Sequence, residues 1–196
     1  MPRPTPDQRR ADLTPKLAHA FADLGYARAT TAKLAAACDL QETQLYRLWP
    51  SKKAMFLAVI RHLYELETAF WNEHLTGAAA AADPDAALAA ILDAEAKHRG
   101  QTGLHRITFA GLSEASDPEI RAALAGMYTD FHRFIRGLLK DRAAAGANLP
   151  LDPGLAAWSL IGLGTLANIA RELDLFGLPT QKKLMRDVGG TVAGLD

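Results

Sequence analysis

Apolar residues recur along the chain at three- and four-residue intervals, with no sustained two-residue alternation, which predicts helices and no strand. Leu13, Leu17, Ala20, Phe21 and Leu24 make the first stripe, and Gly25 supplies a left-handed stop after it. Pro15 falls inside this stretch and leaves two readings open: a helix that starts there with Thr14 as its cap, or one begun near Pro6 and kinked. Thr30 caps a short helix to about Ala37, Cys38-Asp39-Leu40 is a turn, and a second short helix covers Gln41 to about Leu48. Pro50 and Ser51 then open a longer helix that reaches about Leu75. After an Ala-rich loop, Asp83-Pro84 begins a helix with the stripe Leu88, Ile91, Leu92 and Glu95, and Gly100 ends it. A helix over about Gly103–Ala115 has a weaker pattern because of its internal Gly111. Asp117-Pro118-Glu119 starts the strongest helix, striped by Ile120, Leu124, Met127, Phe131, Phe134 and Leu138 and stopping near Gly146. Asp152-Pro153 starts an uncharged helix, and Gly177-Leu178-Pro179 separates it from a last helix near 180–194. The expected fold class is all-α, with eight or nine helices.

Composition narrows the picture. With 49% hydrophobic residues the chain has enough to build a core, which excludes wholesale disorder. The 22 Lys+Arg and 22 Asp+Glu cancel, but unevenly. Residues 1–56 hold nine basic against five acidic residues, a net of +4, and the remainder holds 13 against 17, a net of −4. Such a split suggests that the basic end meets an anionic partner. Cys38 is the single cysteine, so neither an intramolecular disulfide nor a thiolate zinc site is expected. No apolar run follows the arginines of the N-terminus, so it does not read as a secretory signal and a cytoplasmic protein is expected. The uncharged stretch Pro153–Ala170 approaches membrane-span length. Gly154, Ser159, Gly162, Gly164, Thr165 and Asn168 dilute it, so a helix covered by protein is expected and no membrane partner.

The stretch TTAKLAAACDLQETQLYRLWPSKK, Thr30–Lys53, carries the chemistry. Two short helices joined by three residues form a helix-turn-helix, whose second helix fits the DNA major groove while the first crosses the backbone. Leu34, Ala35, Cys38, Leu40 and Leu45 can turn inward onto Leu17, Phe21 and Leu24. Gln41, Glu42, Thr43, Gln44, Tyr46 and Arg47 then remain on the outer face. Thr30, Thr31, Lys33 and Lys52 sit at helix starts, where backbone N–H groups also favour phosphate. Core packing is the other reading of any two-helix turn.

Residues 10–60 resemble the N-terminal domain of TetR-family transcriptional regulators. The features that carry the resemblance are Gly25-Tyr26, Thr30-Thr31, Leu45-Tyr46, Trp49-Pro50 and Ser51-Lys52. The chain departs from that pattern at Asp39, where the turn usually has glycine, at Leu48, and at the acidic Glu42 on the reading face. The resemblance implies a DNA-binding domain over residues 1–50 and a helical ligand-binding and dimerisation domain over 51–196, with 51–75 as the connecting helix. It also implies a homodimer on a palindromic operator and release from DNA when an effector binds the middle helices.

The residues themselves offer candidates for each role. A helix apolar on all sides needs more cover than one small domain gives, so Trp158, Gly162, Leu166 and Ile169, with Leu184 and Val188 of the last helix, are candidates for the dimer interface. Burial within the monomer is the alternative. Phe70, His74, His105, Phe109, Met127, Phe131 and again Trp158 are candidates for contacts to an apolar or aromatic effector, with core packing as the alternative for each. Trp71, Tyr128, His98 and His132 belong to the same middle region. The histidines lack metal-ligand spacing, and no catalytic signature is found. Gly162–Ala167 matches G-x-G-x-x-[GA] but follows no strand, so it reads as helix packing. No catalytic residue, metal or cofactor is expected. The function expected is a sequence-specific regulator, a ligand-released repressor. The alternative is an all-helical small-molecule-binding protein or enzyme whose helix-turn-helix is structural only.

Overall fold

The computed structural model describes residues 4–75, 83–98 and 103–195, and every regular element among them is helical. In chain order they are α1 (Pro6–Arg28), α2 (Thr31–Ala37), α3 (Glu42–Tyr46), α4 (Lys52–Leu75), α5 (Pro84–His98), α6 (Arg106–Ser113), α7 (Pro118–Ala144) and α8 (Pro153–Glu172). The last stretch is α9 (Leu178–Lys183), a π-helical turn over Leu184–Gly189, and α10 (Gly190–Ala193). The Ala-rich loop, the stop expected at Gly100 and the side chain of His98 lie outside the described residues.

Local chemistry sets most boundaries. Thr5 caps α1, accepting from Gln8 N, while the Gln8 side chain accepts from Thr5 N in return. The helix thus starts at Pro6, and of the two readings of Pro15 the long helix is the one found. Thr30, Ser51, Asp83, Asp117 and Asp152 cap the starts of α2, α4, α5, α7 and α8 through their side-chain oxygens. At Gly25 the chain leaves helical geometry with φ +69° and ψ 163°, a combination open essentially to glycine alone. In α6, the Gly111 that weakens the sequence pattern is where Leu124 packs: a Cβ there would lie 2.9 Å from Leu124 Cδ1.

The helices cluster into two compact units, residues 1–66 with 102–127 and residues 67–101 with 128–196. This packing does not divide the chain at residue 50, because the first part of α4, α6 and the start of α7 pack with the N-terminal helices. In the first unit α1 lies against α2 and α6. Leu17, Phe21, Leu34, Leu45, Met55, Phe56, Val59, Ile107 and Ile120 are its fully buried large side chains. Each contributes about 1.5–3 kcal/mol through burial. Phe56 meets Phe21 and Tyr26 with ring centroids 4.9 Å apart in both pairs.

The second unit buries Leu88, Leu92, Leu139, Leu160 and Met185 around Ala156 and Ala157 of α8. Glu95, which continues the apolar stripe of α5, is buried and accepts from Trp71 Nε1 at 2.6 Å. Helix α8 has the length and apolar composition that could cross a membrane, a property it shares with core helices of soluble proteins. Ala156, Ala157, Leu160, Gly164, Ala167 and Ala170 are buried on one side of it. Leu155, Trp158, Gly162, Leu166 and Leu173 are exposed. It is therefore covered on one side only.

Candidate DNA-binding site

The turn between α2 and α3 is a helix stop built on aspartate. Cys38 ends α2, Asp39 takes the left-handed conformation at φ 55°, and Leu40 N donates back to Ala35 O at 2.9 Å while Asp39 N donates to Ala36 O at 3.1 Å. These two bonds make the paired helix-ending motif that usually employs glycine. The Asp39 carboxylate accepts from Lys16 Nζ at 2.7 Å, which ties the turn to α1. That bond, and the lysine charge, hold the Asp39 carboxyl below its ordinary value and raise the lysine.

Helix α3 starts from Gln41 in extended geometry, its N–H donating to Gln44 Oε1 at 3.0 Å. It is shorter than the sequence predicts, ending at Tyr46, with Arg47 and Leu48 in the turn that follows. Leu45 is fully buried and fixes the helix to its unit. Gln41, Glu42, Thr43, Gln44, Tyr46 and Arg47 are all exposed, so the outer face is polar and rich in hydrogen-bonding groups. Glu42 occupies the first helical position, where an acid complements the positive end of the helix dipole. At the start of α2, Thr30 Oγ1 accepts from Lys33 N, Lys33 is exposed and Thr31 is half-buried.

Lys52 is placed differently from the other candidates. Its ammonium donates to Tyr26 O at 3.0 Å and lies 4.3 Å above the centre of the Tyr26 ring. The neighbouring Lys53 pairs with Asp117 at 3.1 Å and with Glu119 at 2.5 Å. Burial and the charges of Glu114 and Asp117 push the Tyr26 phenol up. Sequence reasoning passed over Arg10, whose Nη1 donates to Leu48 O at 2.9 Å and whose Nη2 meets Asp7 at 2.6 Å. Arg10 therefore anchors the segment after α3 to α1. Its partner is a main-chain carbonyl 38 residues away, which no local pattern reveals.

The candidate effector contacts do not fall into one unit. His105, Phe109 and Met127 belong to the first, with His105 and Met127 buried and the His105 and Phe109 ring centroids 6.2 Å apart. Phe70, His74, Phe131 and Trp158 belong to the second. There the His74 ring lies tilted against Phe70, centroids 4.3 Å apart, with Nδ1 2.8 Å from the Phe70 carbonyl. Phe131 is buried against Trp71 at 5.2 Å. Trp158 stacks on His132 at 4.5 Å and is nearly half exposed. Of the remaining dimer candidates, Gly162, Leu166 and Val188 are exposed, and Ile169 and Leu184 are half-buried.

Residues 17–59 match the family model described as bacterial regulatory proteins, tetR family. No curated protein matches the chain. A solved TetR-family transcriptional regulator from Agrobacterium tumefaciens is similar to it at a TM-score of 0.76 and 13% identity, over 94% of this chain and 97% of that one. A regulator from Saccharomonospora viridis, solved in complex with choline, has a TM-score of 0.77 and 17% identity, over 92% and 95% of the two chains. AibR, solved with isovaleryl coenzyme A and operator DNA, has a TM-score of 0.66 and 18% identity, over 95% and 98%. At these identities the likeness is one of fold.

Proposed function

We propose that this chain, whose residues 17–59 match the tetR-family model, is a transcriptional regulator, a homodimeric repressor released from a palindromic operator by a small molecule. The observation that carries the DNA-reading part is the outer face of α3. Six polar residues from Gln41 to Arg47 are exposed there around the fully buried Leu45. Thr43, Gln44 and Tyr46 read base edges, while Thr30, Thr31, Lys33, Arg47 and Lys52 meet phosphate and set the register. Tyr26 holds Lys52 at the head of α4 through its carbonyl and its ring.

Two reading helices that grip successive major-groove turns must sit about 34–36 Å apart, so the dimer is part of the function. The exposed apolar face of α8 is its natural seat. Structures of similar fold hold choline, or isovaleryl coenzyme A together with operator DNA, which supports a small-molecule effector. Such an effector releases DNA only by binding the released form better than the bound form. Helices α4 and α7 each contribute residues to both units and are covalent routes for that coupling.

Selection from a random duplex library, followed by salt titration on the enriched sequence, tests this reading. It predicts a palindromic site and a log–log salt slope steepened by about 0.9 for each phosphate contact. Weak binding with no enriched sequence would leave the helix-turn-helix a packing device. Tyr46→Ala is expected to weaken the selected site by about five- to 150-fold, the range of one lost base-edge contact. The melting temperature stays close to that of the parent, because the side chain is nearly half exposed.

A further inference from the structure

Glu42 is the one acid on the outer face of α3, beside Gln41, Thr43, Gln44, Tyr46 and Arg47. We propose that its carboxylate reads the amino group of a cytosine in the major groove and so makes that base pair a fixed position of each half-site. The proposal rests on the reading of α3 as the helix that enters the groove.

The donors and acceptors of this face single Glu42 out. Gln44 turns its Oε1 to the Gln41 N–H at 3.0 Å, so its amide presents the NH2 group, a donor. Arg47 carries donors only, while the hydroxyls of Thr43 and Tyr46 and the amide of Gln41 serve either way. An ionised carboxylate accepts and never donates. Glu42 is exposed and meets no cation within ion-pair distance among the described residues. Its oxygens are thus open to a donor from outside the chain. Glu42 and Tyr46 stand four residues apart on α3, one above the other. A pose that brings Tyr46 to the base edges therefore brings Glu42 there too.

Base chemistry then selects the partner. In the major groove guanine shows the acceptors N7 and O6, and thymine shows O4 and a methyl group, so neither can donate to a carboxylate. Adenine donates from N6 but sets its N7 lone pair beside that donor. Cytosine donates from N4 and has no acceptor of its own on that edge. A carboxylate in the groove also comes among phosphates, and that repulsion is offset only where the amino group meets it. Glu42 thus specifies as much by opposing the other bases as by bonding to cytosine.

Site selection from one random duplex library, run in parallel with the full parent chain and with Glu42→Gln, tests this. The two enriched sites are expected to agree except at one base pair in each half-site. That base is cytosine for the parent and adenine for the variant, because a glutamine side chain pairs with both N6 and N7 of adenine. On duplexes differing only there, the parent should prefer cytosine by about five- to 150-fold, and the variant should lose that preference. Both chains should melt alike, since Glu42 is exposed and the exchange keeps its size. Identical sites for the two chains, or a parent base other than cytosine at the position that changes, would overturn the proposal and leave the operator reading standing. So would a variant that tightens on every duplex equally, because the acid would then only repel phosphate. A parent that enriches no sequence overturns the operator reading and this inference with it.

Discussion

Asp39 combines two duties that glycine would separate. Its backbone sits at φ 55°, a region that costs most L-residues about 1–2 kcal/mol and that aspartate tolerates better than most. Its side chain reaches Lys16 at 2.7 Å and so holds the reading module to α1. Asp39→Gly keeps the turn and loses the tie, whereas Asp39→Ala loses both. Thermal unfolding should therefore show a larger drop in melting temperature for alanine than for glycine, and equal drops would mean that the ion pair governs. The pH dependence follows from the depressed carboxyl. Its folded value lies below the ordinary 3.8, so its contribution is complete above that value and is lost as pH falls through the folded one. Asp39→Gly should remove that part of the acid sensitivity of the N-terminal unit.

At the level of elements, what the sequence made legible was whatever is settled within a few residues. The caps at Thr30, Asp83 and Asp152, the left-handed turn at Asp39 and the stripe of α7 are all local, and each is found where the pattern puts it. Pro15 was ambiguous because helix start and helix interior look alike at that position. The choice is made by Thr5 with Gln8 and by the distant Leu48 carbonyl that receives Arg10. The π-helical turn at Leu184–Gly189 was not legible at all. It lies where Gly189 packs against Leu92, to within 3.4 Å of an added Cβ, and that contact belongs to the tertiary structure. Glu95 reads as a polar intrusion in an apolar stripe until Trp71 supplies its partner.

Gly25 is the element-scale test. It breaks α1 just before Tyr26 in a conformation that no side chain tolerates well, and Tyr26 in turn carries Lys52. Open space surrounds the missing Cβ, so any penalty for Gly25→Ala comes from the backbone and not from a clash. The variant should lose about 1–3 kcal/mol of stability and bind DNA less well at equal folded fraction. Unchanged stability would show that the turn relaxes without cost.

The DNA contacts and the effector contacts differ in how far the sequence reaches them. The proposed DNA contacts occupy one contiguous stretch, Thr30–Lys52, so pattern alone collects them. The effector contacts depend on which helices meet, and the candidates divide between the two units instead of converging.

For the whole molecule the decisive feature is the uncovered side of α8. At about 100° per residue, Leu155, Trp158, Gly162, Leu166, Ile169 and Leu173 fall within about 80° of one another around the helix. All but Ile169, which is half-buried, are exposed. The buried Ala156, Leu160, Gly164 and Ala167 occupy the other side. A stripe of exposed leucine and tryptophan on an otherwise covered helix costs solubility unless something seats on it. A second copy related by a two-fold axis would set the same stripe against itself. Leu166→Glu then places a carboxylate from each copy at the seam, where repulsion is doubled by symmetry. The parent chain is expected at twice 21.1 kDa in sedimentation equilibrium, and the variant at the single-chain mass with its helical content retained. Operator affinity should fall with the dimer, because a lone reading head forfeits the contacts of the second half-site. A parent that sediments as a monomer, or a variant that still dimerises and binds the operator as before, would move the interface away from α8.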